Sequence, residues 1–258
     1  MSSSLAIETH DLTRAFGSRL AVNGLELGVP RGTIYGFLGP NDAGKTTTIR
    51  MLLGLLRPSG GRILINGEPF TRDRRDLLRG VGALVESPSL YPHLTGEENL
   101  DVTRRLLGAP TARVQEVLEL FGLAKDARRP VRTYSTGMRQ LLGLALAWID
   151  RPSLLVLDEP TSSLDPAATR RLRAVIRRLT SEEGVTALIS SHVLSEVEQI
   201  ADWVGIIHEG RLLFQGELAS VKKSRGGTLE DIFLQFVAPE EVIGWTKSSA
   251  PWRPSGSN

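Results

Sequence analysis

Residues Gly39 to Thr47 read GPNDAGKTT, a G-x-x-x-x-G-K-T string set between an apolar run, Thr33 to Leu38, and a helix-compatible stretch from Gly44 to about Leu55. Few local arrangements constrain a chain more. A strand that enters a glycine turn and leaves as a helix continues into further strands running the same way, because the helix must pack back on the sheet. The same turn gathers backbone N–H groups and the positive end of a helix dipole at one point, where a crowded anion such as a triphosphate is held. Gly39 and Gly44 permit close backbone approach, Lys45 offers a point charge to the outer phosphates, and the Thr46 hydroxyl suits Mg²⁺. Asn41 and Thr47 complete the set expected to contact nucleotide.

The remaining pattern agrees with a parallel α/β sheet. Leu154 to Leu157 and Thr186 to Ser190 are apolar runs that suit strands buried on both faces, and a helical stretch separates them. Short strands are expected at Leu25 to Val29, Gly61 to Ile65 and Gly82 to Val85, and a hairpin at Trp203 to His208 and Arg211 to Gly216 around Glu209-Gly210. From Leu94 the period turns helical: Thr95 and Glu98 form a capping box, Thr111 to Phe121 continues the pattern, and LLGLALAWI follows Gly137. These helices form an insert over about 87–145 of a domain covering 1–236. Past Gly226, TLEDIFLQF reads as a helix and 237–258 as a flexible tail.

Composition narrows the function classes. With 258 residues, 41% of them apolar, the chain can bury one sizeable core. A formal charge of +2 does not call for nucleic acid. Arg170, Arg171, Arg173, Arg177 and Arg178 alternate with Leu172, Val175, Ile176 and Leu179 at helical spacing, which is the pattern of an amphipathic helix with a solvated basic face. Without cysteine there are no disulfides or thiolate metal sites. MSSSLAIETH lacks the flank of a signal peptide, and no apolar run approaches the ~20 residues of a spanning helix, so a membrane role is expected through a partner.

Two acidic residues carry the expected chemistry. Asp158 closes the Leu154 strand, which brings a carboxylate to the sheet edge where open α/β sheets bind ligands; it is expected to hold Mg²⁺, through water. Glu159 follows as the candidate general base for an attacking water.

Between Tyr134 and Asp165 run YSTGM, an apolar stretch, LDEP and SSLD. Behind the upstream phosphate loop, this order resembles the ATP-binding cassette (ABC) family over roughly residues 5 to 236. The resemblance implies a P-loop α/β nucleotide-binding domain with an antiparallel β edge and a helical subdomain, acting as an ATPase with Mg²⁺. It implies a second ATPase subunit, most simply a copy of the same chain, facing it across two ATP molecules. Ser135 and Gly137 match the signature loop that contacts the opposite subunit's nucleotide, Asp165 the loop joining the two sites, and His192 the switch histidine at the γ-phosphate. Phe16, in RAFGSRLAV, matches the aromatic that stacks on adenine.

The sequence departs from the family pattern at Asp42, where a glycine is usual, and at Thr136, where the signature loop usually has another. A third departure is Glu86, where most relatives carry Gln. A carboxylate there makes sense beside a triphosphate when Mg²⁺ intervenes, so Glu86 is expected as a metal ligand. Its stretch, GALVESPSLYPHLTGEENL, resembles the ATPases of bacitracin-resistance and lantibiotic-immunity exporters. The expected function is therefore ATP hydrolysis at the cytoplasmic face of the membrane, driving export of an amphipathic compound or peptide antibiotic through a separate permease, with no nucleic-acid partner. An importer ATPase, or a soluble cassette ATPase acting on DNA or ribosomes, is the alternative.

Overall fold

A computed structural model describes residues 4–162 and 164–237. The chain opens with β1 (Leu5–Phe16), which turns at Gly17-Ser18 into β2 (Arg19–Leu25). The run expected as one strand over Leu25 to Val29 is divided, because β2 ends at Leu25 and β3 (Gly28–Pro30) starts after a break. Thr9 supplies the reason: its buried hydroxyl donates to Leu25 O at 2.6 Å and accepts from Leu27 N at 2.8 Å, satisfying the backbone where the pairing shifts. β1 itself escapes periodicity reading, since bulges interrupt its register and Glu8, His10 and Asp11 spoil strict alternation.

β4 (Ile34–Leu38), buried throughout, leads into α1 (Lys45–Leu52), which stops short of the expected Leu55 because Gly54 adopts a left-handed φ of 65°. β5 (Gly60–Ile65) and β6 (Glu68–Pro69) then return to the first sheet, whose order is β2-β1-β5-β6 with β3 paired to β1. This is the expected antiparallel edge. β7 (Val81–Leu84) begins the path into the helical insert of α2 (Gly96–Leu107), α3 (Ala112–Leu120) and α4 (Thr136–Trp148). The capping box forms: Thr95 Oγ1 accepts from Glu98 N at 3.2 Å, while Thr95 N donates to Glu98 Oε2 at 2.7 Å. Those bonds, the Thr95 amide first, hold the Glu98 carboxyl below its ordinary range.

The second half supplies β8 (Leu154–Asp158), α5 (Pro166–Glu183), β9 (Thr186–Ser191), α6 (Leu194–Glu198), β10 (Trp203–His208), β11 (Arg211–Glu217), α7 (Leu218–Arg225) and α8 (Leu229–Val237). The main sheet runs β11-β10-β4-β9-β8-β7, parallel except for β11. Glu209 and Gly210, both at positive φ, make the two-residue turn between β10 and β11. The arginines of α5 face outward while Leu172, Ile176 and Leu179 are buried, as an amphipathic helix requires. One apolar core joins the helical insert to the main sheet, a second fills the space around α1 between the two sheets, and a third lies under α6 to α8. Among the described residues no helix is long and apolar enough to cross a membrane. The expected tail lies, from 238 onward, outside the described residues.

Candidate active site

The phosphate loop is built as its residue types demand. A Cβ on Gly39 would stand 2.3 Å from Ile207 O, and one on Gly44, at φ 107°, would stand 2.5 Å from Ala21 O. Neither position admits a side chain without moving backbone. Gly44 caps α1 and brings no side chain to its free N–H groups, so these are left for an anion. Lys45 is 5% exposed. Its ammonium donates to Gly39 O at 2.7 Å and to Pro40 O at 3.1 Å, and lies 3.3 Å from Glu159 Oε1.

Glu159 is held from three sides. Its N–H donates to Ser190 Oγ at 2.9 Å, its backbone sits at φ 49°, and its Oε2 lies 2.6 Å from His192 Nδ1. The carboxylate thus bridges a lysine from the start of α1 and a histidine just past β9. Ser190 also donates to Asp158 Oδ1 at 2.5 Å, so a single buried hydroxyl orients both acidic residues. Sequence reading did not single out Ser190, although its place at the end of an apolar strand, two residues before His192, was a usable signal.

Phe16, Asn41, Gly44, Lys45, Thr46, Thr47, Glu159 and His192 line one cleft of about 560 Å³, together with Arg19, Ala21, Asp42 and Ser162. A volume in this range accepts a small-molecule ligand. At its rim Phe16 is 48% exposed, unlike a core phenylalanine, and the Arg14 guanidinium lies 4.5 Å from the ring centroid. That cation on one face leaves the ring as a platform for a base on the other.

The other expected residues stand apart from this cleft. Asp158 is buried and tied through Ser190 to Glu159, and Gly39 lies outside the lining, packed closely against the Ile207 backbone. Thr46 and Asp158 offer the hard oxygen donors that suit Mg²⁺. Among the described residues no group of three acidic or histidine side chains is arranged to hold a metal unaided. Such a site fits an ion that takes most of its ligands from phosphate and water. Ser135 and Asp165 are the N-caps of α4 and α5: Ser135 Oγ accepts from Met138 N at 3.2 Å, and Asp165 Oδ1 accepts from Ala167 N and Ala168 N at 2.8 Å. Gly137 lets the two helix starts meet, since a Cβ there would lie 2.7 Å from Ala168 Cβ. Glu86 lies outside the cleft lining, 62% exposed, at φ 60° and ion-paired with Arg50 on α1. Arg50 carried no role in the sequence reading.

Asp42 adopts φ 64°, a left-handed conformation that Asp tolerates and Gly prefers. Asp42→Gly is therefore expected to tighten ATP binding by roughly threefold to tenfold, through loss of a negative charge beside the phosphates and relief of the backbone. Calorimetric titration checks this, and equal affinities would mean that the carboxylate is fully solvated.

A nucleotide-sized cleft, walled by a phosphate loop and closed by a carboxylate between lysine and histidine, defines a P-loop ATPase. Residues 22–162 match the family described as ABC transporter. The chain is 46% identical over 228 residues to the bacitracin transport ATP-binding protein BcrA of Bacillus licheniformis, covering 88% of this chain and 74% of that one. It is 39% identical over 211 residues to the lantibiotic transport ATP-binding protein SrtF of Streptococcus pyogenes, covering 82% and 90%. Among solved structures, an ATP-binding subunit of an ABC transporter superposes with a TM-score of 0.79 at 28% identity, covering 90% of this chain and 99% of that one. The chain belongs to the ABC transporter family, as one of its ATP-hydrolysing subunits.

Proposed function

We propose that this chain powers export of an amphipathic compound or peptide antibiotic through a separate membrane permease, working as a pair of cassettes at the cytoplasmic face of the membrane. The observation that carries the catalytic half is Glu159, 3.3 Å from Lys45 and 2.6 Å from His192 inside a cleft with Phe16 at its rim. Likeness to the bacitracin and lantibiotic transport proteins supports the exporter half.

In this reading the nucleotide stacks its base on Phe16 and lays its phosphates along the loop of Gly39, Asn41, Gly44, Lys45, Thr46 and Thr47. Lys45 turns from Glu159 to the outer phosphates, which frees the carboxylate. Glu159 takes a proton from a water as its oxygen bonds to the terminal phosphorus, and the bridging P–O bond breaks to release ADP and phosphate. His192 hydrogen-bonds the terminal phosphate. Thr46 and Asp158 would hold Mg²⁺, which neutralises charge that develops on the phosphate oxygens. Ser135, Gly137 and Asp165 lie outside their own chain's cleft, as residues that serve the nucleotide of a facing subunit must.

Glu86 is proposed to join metal binding to the permease, and Arg50 holds it away until nucleotide and metal compete for it. Glu86→Gln should keep the fold yet raise the Mg²⁺ concentration needed for hydrolysis and alter stimulation by the permease, with Glu86→Ala more severe. Arg50→Ala should shift the curve the other way. The measurement is ATPase rate against Mg²⁺ in liposomes, with and without permease, and superimposable curves would return Glu86 to an ordinary surface carboxylate.

The exporter reading is tested by co-reconstituting the chain with a candidate permease and following ATP-driven movement of bacitracin across the vesicle wall. Movement away from the ATPase side supports export; movement toward it identifies an importer. ATPase activity stimulated by DNA or ribosomes, but not by the permease, would favour the soluble alternative.

A further inference from the structure

Two opposite charges, Arg19 beside the phosphate loop and Asp42 within it, are in no ion pair among the described residues. Arg19 lies directly across the β1–β2 hairpin from Phe16, in register with it, so the two side chains share a face of the ribbon. Arg19 lines the main cleft beside Lys45 and Thr46, and also a neighbouring cavity of about 330 Å³ behind the loop, next to His208 and Glu209. Asp42 lines the same two spaces. Among the described residues neither Arg19 nor Asp42 forms an ion pair, whereas Arg14, Arg50 and Arg104 are all held by hydrogen bonds. Both Arg19 and Asp42 are exposed.

An acidic side chain in an anion-binding loop repels the ligand it serves. We propose that Arg19 is the counter-charge to Asp42 and a polyphosphate-binding residue of this cleft, and so helps the site select nucleoside di- and triphosphates over the bare nucleoside. The inference rests on the ATP-binding reading of the cleft. Arg19 has the chemistry for both partners. Its guanidinium presents five donors in a planar fork, enough to meet a carboxylate on one edge and phosphate oxygens on another. The hairpin register keeps this cation on the Phe16 side of the cleft, while Lys45 comes from the start of α1. A nucleotide stacked on Phe16 then meets one cation from each side along its phosphates.

The experiment is a double-mutant cycle on the full chain, read by calorimetric titration with ATP, ADP and adenosine. Arg19→Ala is expected to weaken ATP and ADP binding by roughly tenfold, the scale of one charge-assisted hydrogen-bond set, and to leave adenosine unchanged. Arg19→Lys should recover only part of the loss, because an ammonium cannot serve both partners as a fork does. In the Asp42→Gly background the cost of Arg19→Ala should shrink to roughly threefold or less, since the repulsion it offset is gone. An equal loss for adenosine would assign Arg19 to supporting Phe16 and overturn the proposal. So would identical losses in both Asp42 backgrounds. A parent chain that binds ATP while Arg19→Ala matches it sinks only the Arg19 inference; a parent chain that binds neither ATP nor ADP sinks the ATP-binding reading as well. Melting temperature without nucleotide should not move, because Arg19 is an exposed residue beside a turn.

Discussion

Glu159→Gln should leave ATP binding near its parent value and lower turnover by ~10² to 10⁴, the range that loss of a positioned general base produces. The reason is geometric. Gln matches Glu in shape, so the backbone bond to Ser190 at 2.9 Å is untouched and the amide oxygen can still meet His192. What disappears is basicity and one negative charge beside Lys45, 3.3 Å away. With hydrolysis stalled, two chains should stay closed around ATP, because product release no longer reopens them. Phosphate release and size-exclusion chromatography in ATP and Mg²⁺ check both halves. A variant that hydrolyses at the parent rate removes Glu159 as base, and one that stays monomeric counts against the two-cassette sandwich.

Lys45→Ala should fail at an earlier step. The buried ammonium donates to Gly39 O at 2.7 Å and Pro40 O at 3.1 Å, which fixes the loop, and its charge balances Glu159. Removing it leaves two carbonyls and a carboxylate facing the space where phosphates bind. Charge-assisted hydrogen bonds contribute about 1.5 to 3 kcal/mol, and the carboxylate left unpaired adds repulsion, so ATP affinity should fall by roughly 10² or more. Adenosine, which carries no phosphate, should be almost unaffected. The two variants therefore separate cleanly: Glu159→Gln keeps affinity and loses most turnover, and Lys45→Ala loses affinity. Lys45→Ala that retained parent ATP affinity would show that the helix N-terminus holds the triphosphate alone.

Much of this site was legible because its signals are local. The phosphate loop is a contiguous string whose glycines answer to contacts that no side chain can share, Ile207 O at 2.3 Å and Ala21 O at 2.5 Å. The Thr95–Glu98 box and the Glu209-Gly210 turn are short-range devices read from residue type, and both form. Buried strands over Leu154–Asp158 and Thr186–Ser191 announce themselves as apolar runs. The resemblance to a known family then attached roles to Phe16, Ser135, Asp165 and His192, which periodicity alone could not have chosen.

Other features could not be read that way. β1 is hidden by its bulges, and the break between β2 and β3 depends on Thr9, sixteen and eighteen positions before the groups it binds. Glu86 is expected as a metal ligand because its charge needs a cation, and only the structure shows Arg50, thirty-six residues away, paired with it. Nothing in either local pattern pairs them.

Local sequence is enough to say which segments are strands buried on both faces, where the anion-binding turn falls, and which residue types are available for phosphate chemistry. These follow from the local match of side chains to backbone conformation and to burial. The three-dimensional packing is what sets β4, β9 and β8 side by side in parallel, so that the loop after β4, the Asp158-Glu159 pair at the end of β8 and His192 after β9 open on one edge, with Phe16 brought to the rim by the other sheet. Hydrophobic pattern reports that a strand is buried, but every buried parallel strand presents much the same apolar faces. Which neighbour each one takes is settled by long-range packing, and that choice delivers a carboxylate, a lysine and a histidine from distant segments to within 3.3 Å of one another along a chain of contacts.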